Sequence, residues 1–103
     1  MSTLSKRIKE ARLRSGLSQE QLGIRIGIDP ASASARMNRY ELGKRVPDLD
    51  LVERLADELS LPAAFFYAKQ DAEAELLLNF HRLEQAAQTQ LLAVLEELVR
   101  VRG

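Results

Sequence analysis

The sequence predicts an all-α chain, and three observations carry that expectation. Strand formers are scarce, with aromatic residues only 5% of the 103. No window alternates apolar and polar residues with period two, whereas apolar residues recur at spacings of three and four along most of the length. Helix start and stop signals also follow one another in order, from Gly16 through Ser18, Gly27, Asp29–Pro30 and Gly43 to Asp48.

The first helix is expected from about Thr3 to Ser15. Leu4, Ile8 and Ala11 share one face, Arg12 and Ser15 lie beside it, and Gly16 is its stop. Ser18 opens "SQEQ", in which a serine and a glutamine three residues later form a capping box. This second helix is short, turns Leu22 and Ile26 inward and ends at Gly27. Asp29 can cap a third helix and Pro30 is preset for its first position, so the third helix runs over about 30–42 and stops at Gly43. Val46–Pro47 breaks the chain. Asp48 caps a fourth helix with a stripe of Leu51, Val52, Leu55, Ala56 and Leu59. "SLPAAFFYA" gives a short fifth helix whose Phe65 and Phe66 close the core. Lys69 to Asp71 marks a boundary, which divides the chain into 1–69 and a helical tail, 70–103. In the tail Leu76, Leu77, Phe80 and Leu83, then Leu91, Leu92, Leu95, Leu98 and Val99, continue the helical period. The polar "EQAAQTQ" between them reads as a break between two helices or a weak joint near Glu84–Ala87.

Composition narrows the function classes. A hydrophobic share of 46% suits one globular domain of this length. The absence of cysteine excludes a disulfide framework and a thiolate metal site, and fits a reducing cytoplasm. No apolar run approaches the roughly 20 residues of a membrane span, and "MSTLSKRIKEARLR" has no apolar signal core. The net charge of +0 conceals a division: residues 1–47 carry ten Lys/Arg against four Asp/Glu, and residues 48–103 carry five against eleven. Such asymmetry suits one surface facing a polyanion and another turned away from it.

"LSKRIKEARLRSGLSQEQLGIRIGI" followed by "MNRYELGKRVPDLDLVERLADELSLPAAFF" resembles the lambda-repressor-like, Cro/Xre-type helix-turn-helix domain over roughly residues 4–67. Several features agree in order: Arg-x-x-Gly-Leu-Ser-Gln, the small Gly23 inside helix two, Gly27 at the turn, and Arg-Tyr-Glu-x-Gly-Lys-Arg-x-Pro. The resemblance implies a five-helix bundle in which helix two lies across the rim of the major groove and helix three enters it. The sequence departs from the pattern in one place, since "DPASASAR" adds about four residues between Gly27 and Arg-Tyr-Glu. Four residues advance a helix by about 400°, nearly one turn, so an added helical turn would leave the reading face unrotated. The Asp-Pro start favours this over a longer turn.

The resemblance directs attention to particular side chains. Arg39 is the first candidate for base contact, since arginine pairs bidentately with guanine O6 and N7, although a phosphate contact is the alternative. Asn38 suits adenine or a phosphate. Arg36 and Ser34 sit on neighbouring turns, and Ser32 joins them only if the helix is extended. Met37 and Tyr40 are expected to point inward. Gln19 matches a family position that touches phosphate and braces helix three. Free amides at the start of helix two add to that site. Lys44 and Arg45 fit phosphate contacts, which supply affinity without sequence information. Arg12 and Glu41 match a family ion pair joining helix one to helix three.

The apolar side of the tail, comprising Phe80, Leu91, Leu92, Leu95, Leu98 and Val99, is expected to pair two copies or to fold back onto its own bundle near Leu13. A homodimer reading a two-fold site on double-stranded DNA, acting as a repressor, is the leading expectation. An antitoxin or other interaction module whose tail holds a protein partner is the alternative. An enzyme is the weakest reading. His81 is the one histidine, it has no ligand cluster beside it, and no cofactor or metal is expected.

Overall fold

A computed structural model describes residues 2–102. Six α-helices and one 3-10 segment follow in order: α1 (Thr3–Ser15), α2 (Gln19–Arg25), α3 (Pro30–Glu41), α4 (Leu49–Leu59), the 3-10 segment (Ala63–Tyr67), α5 (Asp71–Arg82) and α6 (Gln85–Arg102). No strand occurs among the described residues. The local chemistry sets most boundaries. Ser2 caps α1 by accepting from the Ser5 amide. The Asp48 carboxylate accepts from the Leu51 amide at 2.8 Å and starts α4. Ser60 ends α4 in the left-handed region, at φ 55.

The expected fifth helix is a five-residue 3-10 segment. A span this short forms too few hydrogen bonds to repay α-helix nucleation, and the tighter winding is used for such pieces. It places Phe65 and Phe66 edge to face, with centroids 5.4 Å apart, and buries both. The core gathers Ile8 of α1, Leu22 of α2, Met37 of α3 and Val52 and Leu55 of α4 around these rings.

Arg7 is buried in this core at 1% exposure. Its Nε donates to the Ala68 carbonyl at 2.8 Å, and its Nη1 meets Glu10 at 2.8 Å and Asp71 at 3.1 Å. The guanidinium carbon stands 5.9 Å from the centre of the Phe65 ring. One side chain of α1 therefore fastens both the 3-10 segment and the start of α5.

The tail divides differently from the expectation. Ala74 and Leu78 of α5 belong to the same core as Ile8 and Phe65, so packing runs through the anticipated boundary at 69/70. The change in packing comes after α5. The chain leaves helical geometry at Leu83 and restarts at Gln85, which resolves the expected joint into a break. No residue of α6 is buried. The radius of gyration is 15.8 Å, against about 13 Å for a compact chain of this length. The principal extents of 53 × 27 × 22 Å have the same cause, a helix held away from the bundle. Folding back of the whole tail is thus not observed. Leu13, the expected receiver, is 60% exposed.

Candidate nucleic-acid interface

The α2–turn–α3 unit is built by three local devices. Ser18 Oγ accepts from the Gln21 amide at 3.0 Å while Gln21 Oε1 accepts from the Ser18 amide at 2.9 Å, which completes the capping box. After α2, Gly27 adopts φ +95, with its amide on the Ile24 carbonyl and the Ile28 amide on the Gly23 carbonyl. These two bonds form a Schellman turn, which satisfies the last carbonyls of α2 and redirects the chain. Asp29 Oδ1 then accepts from the Ala31 amide at 3.3 Å, and Pro30 begins α3. The helix-extended reading of "DPASASAR" is the one observed.

Gly23 brings the two helices together. A Cβ there would lie 2.9 Å from the Ala33 Cβ and 3.1 Å from Met37 Cγ. No flexible chain end is available to give way at Ala33, so a side chain at 23 would force α2 and α3 apart.

Helical phase decides which side chains α3 can offer. Ala33, Met37, Tyr40 and Glu41 are buried. On the opposite side Ala31, Ala35, Asn38, Arg39 and Leu42 are all exposed. At about 100° per residue these five fall within roughly 100° of arc. Asn38 and Arg39 thus lie where they were expected. Ala31, Ala35 and Leu42 share the face and were missed; stepping back four residues from Arg39 would have found Ala35. Alanine offers a methyl suited to contact with the thymine methyl group. Ser34 is exposed on the flank towards α2, and Ser32 is half-buried on the opposite flank.

Arg36 lies at the edge of the exposed face and not within it. It is half-buried, its Nη2 donates to the Tyr40 hydroxyl at 2.6 Å, and its guanidinium carbon stands 5.8 Å from the centre of that ring. It therefore lies beside the exposed face, drawn aside by the phenol one turn ahead.

A polar network fixes the angle of α3. Arg12 of α1 donates through Nε to Glu41 Oε2 at 2.6 Å and through Nη2 to Oε1 at 3.0 Å. Gln19 Nε2 donates to the same Glu41 Oε1 at 3.2 Å and to Asn38 Oδ1 at 3.2 Å. Arg12 also holds the Leu17 carbonyl at 3.1 Å, just ahead of α2. Three helices are joined through one buried carboxylate. The hydrogen bond to Glu41 raises the Arg12 pKa, burial opposes this, and the charge of Glu41 adds to the rise. Gln19 is thus positioned both to brace α3 and to present the N-terminus of α2.

Lys44 and Arg45 follow Gly43, which takes φ +74 at the end of α3. The Lys44 amide returns to the Arg39 carbonyl at 3.0 Å, a second Schellman turn. Arg39, Lys44 and Arg45 are exposed. Among the described residues none of the three has a carboxylate oxygen within 4.0 Å. Several other cations are compensated, as in Arg54 with Asp50 at 2.8 Å and Arg25 with Glu58 at 3.6 Å. Lys9, Lys69 and Arg82 are unpaired among the described residues but far apart in sequence. The uncompensated charge is concentrated at the end of α3 and the turn after it, where it attracts a polyanion.

On α6, Leu91 and Leu95 are half-buried, while Leu92, Leu98 and Val99 are exposed; Phe80 on α5 is half-buried. Val94 and Val101, 51% and 69% exposed, widen the same apolar side and were missed. His81 lies exposed in the last turn of α5. Among the described residues no helix is long and apolar enough to cross a membrane, and no group of His, Asp or Glu is arranged to hold a metal.

Comparison with known proteins agrees with this geometry. A family model described as a helix-turn-helix domain matches residues 3–64. A solved structure, the crystal structure of the transcriptional regulator BswR, superposes with a TM-score of 0.90 at 40% sequence identity, covering 96% of this chain and 98% of that one. No curated protein matches the sequence. With its matched domain spanning α1 to the 3-10 segment, and α3 presented on a braced, capped scaffold, the chain belongs to the helix-turn-helix family of DNA-binding, non-enzymatic proteins.

Proposed function

We propose that this chain is a transcriptional regulator that binds a two-fold operator as a homodimer and represses by occupying it. The carrying observation is the exposed face of α3, where Asn38 and Arg39 project from a helix whose other side is fully buried. Its likeness to a transcriptional regulator over nearly the whole of both chains supports the regulatory role. Occupancy of an operator is sufficient to block transcription, so repression asks for no surface beyond the DNA-binding one. Arg39, Asn38 and the methyls of Ala31 and Ala35 read bases, with Ser34 and Ser32 at the flanks. Gln19, Lys44 and Arg45 hold phosphates.

The apolar side of α6 supports the dimer. Leu92, Leu98 and Val99 are 53%, 53% and 69% exposed on one helix, and a stripe of this kind is normally covered by a partner. A helix-turn-helix dimer of this kind reads two half-sites one helical turn, about 34–36 Å, or a multiple of it apart.

Binding curves over a range of salt concentrations, on DNA from upstream of the gene and on a scrambled duplex, test the reading function. Arg39→Ala is expected to weaken the preferred site by about 1–3 kcal/mol while leaving the scrambled duplex nearly unchanged. Lys44→Ala is expected to weaken both equally and to lower the salt slope by about 0.9. Equal loss on both duplexes for Arg39→Ala removes that residue from the readers.

Sedimentation equilibrium tests the dimer. Leu98→Glu is expected to convert a dimer into a folded monomer whose helix content is retained, because Leu98 is not in the bundle core. A wild-type chain that is monomeric at high concentration overturns the dimer and assigns α6 to a partner of a different sequence, as an antitoxin would use it.

A further inference from the structure

A cleft of about 260 Å³ lies between the C-terminal half of α3 and the first turn of α4. Arg36, Tyr40, Arg45 and Arg54 line it, with Gly27 and Asp50. Arg36 Nε is the one buried side-chain polar atom without a hydrogen-bond partner among the described residues. The guanidinium makes one hydrogen bond, to the Tyr40 hydroxyl. A cationic donor left without an acceptor in a buried setting is costly, and such a group points to an acceptor that completes it. An acceptor entering the cleft recovers that loss by drawing the Nε–H round to itself.

The charges around the cleft favour an anion. Arg36 and Arg45 have no carboxylate oxygen within 4.0 Å among the described residues. Two acids also border the space, and both are engaged. Asp48 Oδ1 accepts from the Leu51 amide at 2.8 Å. Asp50 pairs with Arg54 at 2.8 Å, and its side chain is 72% exposed at the rim. Arg54 also donates to the Ile26 carbonyl at 3.3 Å, which holds it across the turn between α2 and α3.

We propose that this cleft is an oxyanion site that takes one phosphate group, with Arg36 and Arg45 as its principal donors and Arg54 at its edge. Guanidinium groups suit this ligand because their forked donors match two phosphate oxygens. The same chemistry is offered by the backbone of bound DNA and by a free phosphorylated molecule. Position favours DNA. Arg36 lies about 60° around α3 from Arg39, so the cleft flanks the reading face on the side of the basic turn. This source rests on the DNA-binding reading given above.

Nitrogen-15 NMR of the arginine Nε–H groups tests the site. Inorganic phosphate is titrated against chloride at matched ionic strength, and a scrambled duplex is titrated separately. The Arg36 Nε–H resonance is expected to shift saturably with the duplex. Arg36→Gln is expected to lower the salt slope of scrambled-duplex binding by about 0.9, one phosphate contact. Should that variant misfold, Arg54→Gln, at an exposed position, is expected to reduce the Arg36 shift with helix content unchanged. A shift with phosphate but not with duplex supports the site and assigns it to a free phosphorylated molecule. No Arg36 shift with either probe, while the duplex still binds, overturns the site and leaves DNA binding intact. Failure of the duplex to bind at all, with a phosphate shift retained, overturns the DNA reading and leaves the site.

Discussion

Arg7→Ala is expected to lower the stability of the fold by about 3–4 kcal/mol, with the thermal midpoint falling by more than about 10 °C. Arg7 is a core side chain that carries a charge. Truncation leaves a cavity against Phe65 of the kind that costs large-to-small core variants 2–5 kcal/mol, to order of magnitude. It also removes the only side-chain donor to the Ala68 carbonyl among the described residues, at 2.8 Å. The polar groups left behind differ in cost. Asp71 is mostly exposed and returns to water, whereas the carbonyl lies in a crowded joint. Lys6 offers an internal control. It also pairs with Asp71, at 3.0 Å, but both side chains are exposed, so Lys6→Ala should change stability little. Arg7→Met, which restores apolar volume, should recover part of the loss. Thermal melts followed by circular dichroism decide the matter, and a loss below about 1 kcal/mol for Arg7→Ala would remove Arg7 as the fastening of α1 to α5. The same joint has a defined pH response. Hydrogen bonds from Lys6, then from Arg7, and the charges of both hold the Asp71 carboxyl below its ordinary pKa. A depressed carboxyl adds stability above its unfolded value and loses it as pH falls through the folded one. The contact therefore persists in mild acid and fades only below the usual aspartate range.

Arg7 also marks where sequence reading stops. A helical wheel places it beside the apolar stripe, three residues after Leu4 and four before Ala11, but its charge argues against burial. Its burial depends on carbonyls at Ala68 and Lys69, some sixty residues later, which no local pattern announces. The helix boundaries were legible because capping is local: Ser18 with Gln21, Asp29 with Pro30, and Asp48 each satisfy their own helix end. The inward faces of α3 and α4 were legible for the related reason that periodicity is local. Phase puts Arg36 about 60° from Arg39, at the flank of the face, but no local pattern announces that its guanidinium turns to the Tyr40 hydroxyl one turn ahead. The exposed alanines were overlooked because attention went to side chains able to form hydrogen bonds. In α5, polar and apolar residues suggested a separate tail, yet Ala74 and Leu78 enter the bundle core. Those two positions are filled by what α1 and the 3-10 segment leave open, a demand of tertiary packing.

Glu41→Ala is expected to be the most damaging change to both stability and DNA binding, at about 3–5 kcal/mol for the fold. Glu41 is 2% exposed and receives both Nε and Nη2 of Arg12 as well as Nε2 of Gln19. Its removal leaves the Arg12 guanidinium, 13% exposed, without its counter-charge. The arginine cannot escape by losing its proton. Its pKa is raised in the fold, so the pair's contribution is present below the unfolded value and disappears only in strong alkali. The double variant Arg12→Met with Glu41→Leu separates stability from function. Replacing both partners by apolar groups of similar size removes the stranded charge, so most of the lost stability should return. Operator binding should not return with it. Gln19 would still lack the Glu41 oxygen that holds it, and with it the acceptor that keeps its amide on Asn38 at 3.2 Å. Asn38 and the N-terminal end of α2 would then be ordered only at the moment of binding, and ordering side chains then costs affinity. Denaturant melts and operator titrations on the three proteins measure the two effects independently. Recovery of operator affinity in step with stability would reduce the network to scaffolding. A stable double variant that binds poorly would assign it the task of aiming α3.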